Sequence, residues 1–267
     1  MLNKKIMLMI LAVLMIVAVS AQVFAATDML NQILDRGVLR AGVLTTGPPW
    51  GFLDENYNIV GFDVELAKEM AKELGVKLEL VETLNTNRIP YLTTGRVDII
   101  IACFANNLER GKSVAFSQPY APFMLVMCGP KEVDINSLED LAGKTIAIGR
   151  GTTSDLALTA KAPAGTTILR YESPTDAFLA VEQGKADVFA EGYDHAMHQM
   201  LTHPNWEIKG EPFQRTFPAM ALPLGEQVWL NWVNQFIMHK LNEGFIQDLY
   251  AEWFAIPWPE AGIWPNF

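Results

Sequence analysis

The sequence predicts an α/β protein built as two similar lobes with a cleft between them. Two observations carry that prediction. A unit is written twice: Thr94-Gly95-Arg96-Val97-Asp98-Ile99-Ile100 returns as Gln183-Gly184-Lys185-Ala186-Asp187-Val188-Phe189, roughly ninety residues on. Each copy reads as a helix end, a Gly, a basic residue, a small apolar residue, an Asp and a strand, so two lobes of one plan are expected. In addition, Asp98-Ile99-Ile100-Ile101-Ala102 has the continuous apolar character of a strand buried on both faces, and it runs into a polar loop that ends at Glu109-Arg110. Ligands of open α/β sheets gather where such strands end. Arg110 is therefore the candidate anchor for a carboxylate, the group its planar fork of donors matches.

In chain order, Lys4 and Lys5 precede an uninterrupted apolar run from Ile6 to Val19, and Val23-Phe24-Ala25 places small residues where a signal peptidase reads. Residues 1–25 are the expected signal peptide, since fourteen apolar residues fall short of the roughly eighteen needed to span a bilayer. No Cys precedes Cys103, so a lipid-modified cysteine is not expected, and the released protein should diffuse freely in a Gram-negative periplasm. A formal net charge of -10 argues against nucleic acid and anionic lipid as partners. Cys103 and Cys128 are the two cysteines; a pair of buried thiols is the simpler expectation, with one bridge the alternative.

A short helix is expected near Asp28 to Asp35, then a strand at Val38 to Val43. Pro48-Pro49-Trp50-Gly51-Phe52 excludes helix and forms a rigid loop whose Trp50 and Phe52 are either ligand-stacking rings or a cover for the sheet edge. From Gly61-Phe62-Asp63 a helix runs to Gly75, with Val64, Ala67, Met70, Ala71 and Leu74 on one face and Asp63 at the positive end of its dipole. A strand at Val76 to Val81, a helix at Asn87 to Thr94 and a strand at Val97 to Ala102 complete a β-α-β-α-β half-domain. Pro119 and Pro122 then mark a crossing into a strand at Met124 to Met127.

The second lobe repeats the plan. Strands are expected at Thr145 to Ile148, Thr167 to Arg170 and Ala186 to Ala190. One helix opens from the turn Gly149 to Asp155. Another opens at Ser173-Pro174-Thr175-Asp176, a capping residue with proline at the first helical position. A second crossing near Phe217 to Pro223 returns the chain, and Trp229, Trp232, Val233, Phe236, Ile237 and Leu241 form one apolar face of a long helix against the first lobe. The expected division is 26–122 and 220–267 for the first lobe and 123–219 for the second.

The ordered motifs Leu39-Arg40-Ala41-Gly42, Pro48-Pro49-Trp50-Gly51-Phe52, Gly61-Phe62-Asp63-Val64-Glu65-Leu66-Ala67, Arg88-Ile89-Pro90-Tyr91-Leu92, Gly95-Arg96-Val97-Asp98, Glu109-Arg110, Phe116-Ser117-Gln118-Pro119-Tyr120, Gly143-Lys144 and Gly151-Thr152-Thr153 resemble those of the bacterial extracellular solute-binding proteins of family 3. The resemblance implies a two-lobed periplasmic-binding-protein fold, each lobe a mostly parallel sheet flanked by helices, joined by two crossover strands. It further implies closure on a small carboxylate-bearing ligand, most often a polar amino acid, and delivery to an ABC permease of the inner membrane by a monomer that uses no cofactor. In the family, the arginine matching Arg110 clamps the ligand carboxylate, and groups matching Thr152 and Thr153 approach it from the other lobe.

The same resemblance exposes a gap. Amino-acid-binding members hold the ligand amine with an Asp at the position of Gly192, often helped by hydroxyl residues where this chain has Cys103 and Ala105. Either Glu191 or Asp194 takes over through a shifted loop, or the ligand is a carboxylate without an α-amine in that place, in a more neutral pocket of Asn85, Asn106 and Asn107. The rival from another class is a cyclohexadienyl-dehydratase-like enzyme on the same fold, for which Glu191 is the available general acid or base. His195 and His198 share one helical face but lack an identifiable third ligand, so no metal site is expected. The chain has no Walker loop, Gly-x-Ser-x-Gly or Cys-x-x-Cys.

Overall fold

The computed structural model describes residues 28–254 and Trp258, so the expected signal peptide lies outside the described residues. Helix α1 (Met29–Arg36) is capped by Asp28, whose side chain accepts from the Asn31 amide, and stops at Gly37 with φ 66. Strand β1 (Val38–Leu44) follows. The proline-rich loop is part of a small antiparallel sheet of β2 (Thr46–Gly47), β3 (Gly51–Leu53) and β4 (Ile59–Val60), which the sequence did not announce. Helix α2 (Phe62–Leu74) buries Val64, Ala67, Met70 and Ala71 as its spacing predicts, and β5 (Lys77–Thr83) follows. A single 3-10 turn leads into α3 (Arg88–Thr93), and β6 (Ile99–Ile100) and β7 (Ala115–Pro119) end this stretch.

The second half is built from β8 (Phe123–Pro130), β9 (Thr145–Gly149), α4 (Thr153–Lys161), β10 (Thr167–Tyr171), α5 (Pro174–Glu182), β11 (Val188–Gly192), α6 (Tyr193–Met200) and β12 (Trp206–Thr216). The chain then returns through β13 (Ala219–Leu222) to α7 (Gln227–Asn242) and α8 (Phe245–Phe254). The first sheet has the order β5-β1-β6-β13-β7 and the second β10-β9-β11-β8-β12. In each, three strands are parallel and two more join antiparallel, so the two sheets share one plan.

The duplicated motif has a physical role in that plan. Asp98 accepts from the Arg40 amide on β1 at 2.8 Å while its own amide donates back to the Arg40 carbonyl at 2.9 Å. Asp187 does the same to Thr145 at the start of β9, at 2.7 and 2.8 Å. Each Asp thus fixes the register of a central strand. Asp98 is fully buried and also holds the guanidiniums of Arg36 and Arg40.

Among the described residues, two short segments, Tyr120 to Pro122 and Phe217-Pro218, pass between the sheets, and the Tyr120 amide donates to the Pro218 carbonyl at 3.0 Å. The crossings therefore lie side by side, the geometry of a hinge. As its spacing predicts, α7 sinks Trp229, Val233, Phe236 and Ile237 into the core under the first sheet with Ile33, Leu39 and Phe62. The Trp229 indole donates to the Asp98 carbonyl at 3.2 Å. Among the described residues, no helix is long and apolar enough to cross a membrane.

Candidate functional site

Between the sheets, at the C-terminal ends of their parallel strands, lies a cavity of about 30 Å³. The first sheet's side contributes Leu44, Gly47, Trp50, Asn85, Arg88 and Cys103; the second contributes Phe123, Thr152, Thr153, Pro174, Glu191 and His195. Small-molecule pockets hold about 300 Å³ or more, so the space left between the sheets is narrower than such a ligand needs.

Two buried arginines meet the second lobe here. Arg110 donates through Nη1 to the Ala105 carbonyl at 2.9 Å and the Thr153 hydroxyl at 3.3 Å, and through Nη2 to the Gly151 carbonyl at 3.0 Å. Arg88 spends Nε on the Asn85 carbonyl at 3.1 Å and Nη1 on the carbonyls of Ala102 and Cys103 at 3.0 and 3.3 Å, and its Nη2 also reaches the Gly151 carbonyl, at 3.3 Å. Both guanidiniums lie over the Phe104 ring, 4.3 and 4.6 Å from its centroid. Burial lowers Arg88 to about 10 and Arg110 to about 9, the latter helped by the charge of Arg88, so both stay cationic at neutral pH. One neutral carbonyl, turned by Gly151 in the left-handed region (φ 70), thus serves two cations.

The carboxylates divide by partner. Asp63 accepts from the Tyr120 hydroxyl and from the Cys103 amide, both at 2.7 Å, which holds Cys103 at φ 44 beside the cavity. Burial outweighs those bonds and raises Asp63 to about 7. Glu191 takes the Gly192 amide on Oε1 at 3.2 Å, while its buried Oε2 has no partner; burial raises it to about 7 against the pull of Gly192 and Arg88. His195 is buried and uncharged, lowered to about 3 by burial.

Of the residues singled out by sequence, Trp50, Asn85, Thr152, Thr153 and Glu191 line the cavity; Arg110 is not in its lining but donates to Thr153, which is. Arg110 is buried, while its neighbour Glu109 is exposed and pairs with Lys112 at 2.6 Å. The Thr152 hydroxyl caps α4 by accepting from the Asp155 amide at 3.1 Å and donates to the Gly149 carbonyl at 2.9 Å, so it is already spent within its own lobe. Other candidates lie elsewhere. The Phe52 ring packs on Trp253 and His198, because pairing with Thr46 and Val60 turns it into the small sheet. Ala105 supplies only its carbonyl to Arg110, and Asn107 caps the Arg110 amide through Oδ1 at 2.9 Å. Asn106 is exposed. Asp194 is buried against the Tyr250 hydroxyl at 3.2 Å, outside the cavity lining.

Sequence reasoning missed Arg88, Phe123 and His195 as cavity residues. The available signal was an arginine opening a short helix directly after a strand, where the chain must turn over the strand ends. Gly192 has a local cause: a Cβ there would lie 2.1 Å from the Phe123 ring. Both cysteines are free thiols, and among the described residues no cluster of His, Cys, Asp and Glu is arranged to hold a metal.

Two sheets of one plan, a paired hinge and a cleft lined from both sides define a two-lobed binding protein. The chain belongs to the bacterial extracellular solute-binding proteins, family 3, whose profile matches residues 39–256. It is 28% identical over 257 residues to the L-cystine-binding protein TcyJ of Escherichia coli (strain K12), covering 95% of this chain and 96% of that one. It is 29% identical over 251 residues to the cyclohexadienyl dehydratase of Pseudomonas aeruginosa, covering 91% and 92%. The crystal structure of the P235GK mutant of ArgBP from T. maritima superposes with a TM-score of 0.81 at 33% identity, covering 85% of this chain and 100% of that one.

Proposed function

We propose that this protein captures an amino acid in the periplasm between its two lobes and delivers it to an ABC permease of the inner membrane. The observation that carries the reading is the pair of buried guanidiniums sharing one neutral carbonyl acceptor at the lobe boundary. A ligand carboxylate that displaces the Gly151 carbonyl converts those contacts into charge-assisted bonds, worth roughly 1.5 to 3 kcal/mol each. Opening about the paired crossings admits the ligand, and closing brings Thr153 and Arg110 together across it. Thr175 donating to the Thr46 carbonyl at 3.0 Å and Tyr250 to Asp194 are the further contacts that latch the closed form. A thermal-shift screen of the purified protein over amino acids and small carboxylates tests this: a ligand at a hundred times its Kd adds about 2.7 kcal/mol. The responding ligand should also shrink the radius of gyration in solution scattering. No response to any amino acid would sink the reading.

A second reading, a dehydratase, is favoured by Glu191 alone. A buried carboxyl raised to about 7 retains a proton that it can donate to a leaving hydroxyl while a substrate carboxylate departs as carbon dioxide. Incubation with prephenate discriminates: phenylpyruvate that forms with the native chain and not with Glu191→Gln supports the enzyme, and none with either removes it.

A further inference from the structure

We infer that the ligand is a zwitterionic α-amino acid with a compact, uncharged side chain, and that Glu191 holds its ammonium group. The inference deepens the amino-acid reading above and rests on it. Glu191 is 7% exposed, one oxygen is satisfied by the Gly192 amide, and the other is buried without a partner in the cavity wall that also holds Arg88 and Thr153, the latter bonded to Arg110. A buried carboxylate oxygen with no donor is a cost that an incoming cation or N–H removes.

Elimination points to the same residue. Among the described residues, Glu191 is the one carboxylate lining the cavity. Asp63 is spent on Tyr120 and Cys103, Asp194 on Tyr250, and Asp155 on Arg170 and the Gly151 amide. Position 192 has no room for a side chain while Phe123 stands where it does. An ammonium opposite an Arg110-bound carboxylate therefore finds one acceptor of opposite charge.

That leaves the ligand side chain. The rest of the wall is Leu44, Gly47, Trp50, Phe123 and Pro174, with His195 uncharged, and the closed cavity is small. A second cation on the ligand would have no carboxylate left to meet. A second carboxylate would meet only Arg88, most of whose donors are already held by the carbonyls of Asn85, Ala102 and Cys103. Burying such an unpaired charge is unfavourable enough to exclude it.

Calorimetry with L-serine, L-alanine, L-cysteine and L-valine against L-arginine and L-glutamate tests the side-chain class, with the neutral set expected to bind roughly a hundredfold or more tighter. The best binder and its 2-hydroxy analogue are then compared on the native chain, Glu191→Gln and Glu191→Asp. Glu191→Gln should weaken the amino acid roughly 10- to 100-fold and the hydroxy acid little. Glu191→Asp should recover part of the loss, and unfolding temperatures measured without ligand show whether each variant is folded. Preference for arginine or glutamate overturns the side-chain class. Equal weakening of both ligand types, or none, overturns the role of Glu191. Failure of every amino acid to bind the native chain overturns the parent reading instead.

Discussion

Replacing Gly192 by alanine should destabilise the second lobe through one contact. Gly192 ends β11 and precedes α6 with φ -58 and ψ 142, angles open to any residue, so the backbone offers no objection. The objection is space: the new methyl would lie 2.1 and 2.2 Å from Phe123 Cε2 and Cζ. Phe123 cannot retreat freely, since it is 6% exposed and its ring meets Trp50 edge-on at 5.6 Å between centroids. Overpacking of this kind costs about 1–3 kcal/mol, or roughly 2–12 °C of unfolding temperature at this size. Phe123→Ala alone should cost about 3–5 kcal/mol. In the double variant the methyl enters the space the ring has left, so the combined loss should fall short of the sum by about 1–3 kcal/mol. Thermal and urea unfolding of the four ligand-free proteins measures this cycle. An unchanged Gly192→Ala together with additive losses would refute the steric account of why position 192 has no side chain.

Two further predictions concern charged groups. Arg110→Ala removes the bonds to Gly151 and Thr153 across the cleft, so it should weaken the screened ligand by about 2–5 kcal/mol while the protein stays folded; calorimetry that finds equal affinity removes Arg110 from the site. Asp63 is raised by burial from 3.8 to about 7, so between those values the folded state holds a proton that the unfolded state has lost. Its contribution therefore falls as pH rises through that window and is flat above it. Asp63→Asn should show a smaller loss of stability than the native chain between pH 5 and pH 7 in urea unfolding, and parallel profiles would contradict the assignment.

Much of the frame was legible because local chemistry set it. The duplicated Gly-basic-small-Asp unit marked two sheets of one plan, since each Asp clasps the start of the neighbouring strand. The apolar face of α7 was readable because Trp229, Val233, Phe236 and Ile237 recur at helical spacing. Strand β12 was not readable: Gly210, Pro212 and four charged side chains interrupt its alternation, and a bulge between Lys209 and Gln214 resets its register on β8. Helix α8 also went unread, though it packs Tyr250 and Phe254 on Phe62.

Around the cavity, sequence by itself pointed to Thr153 and Glu191, which line it, and to Arg110, which bonds to Thr153, because a fixed charge, a helix start and a strand end announce themselves locally. Tertiary structure decided the rest. It brought Arg88, at the start of α3, beside Arg110, turned Phe52 away, gave Asp194 to Tyr250 and filled the space at Gly192 with Phe123. Those outcomes depend on which elements pack face to face, and a buried group's partner and charge are set by neighbours far along the chain.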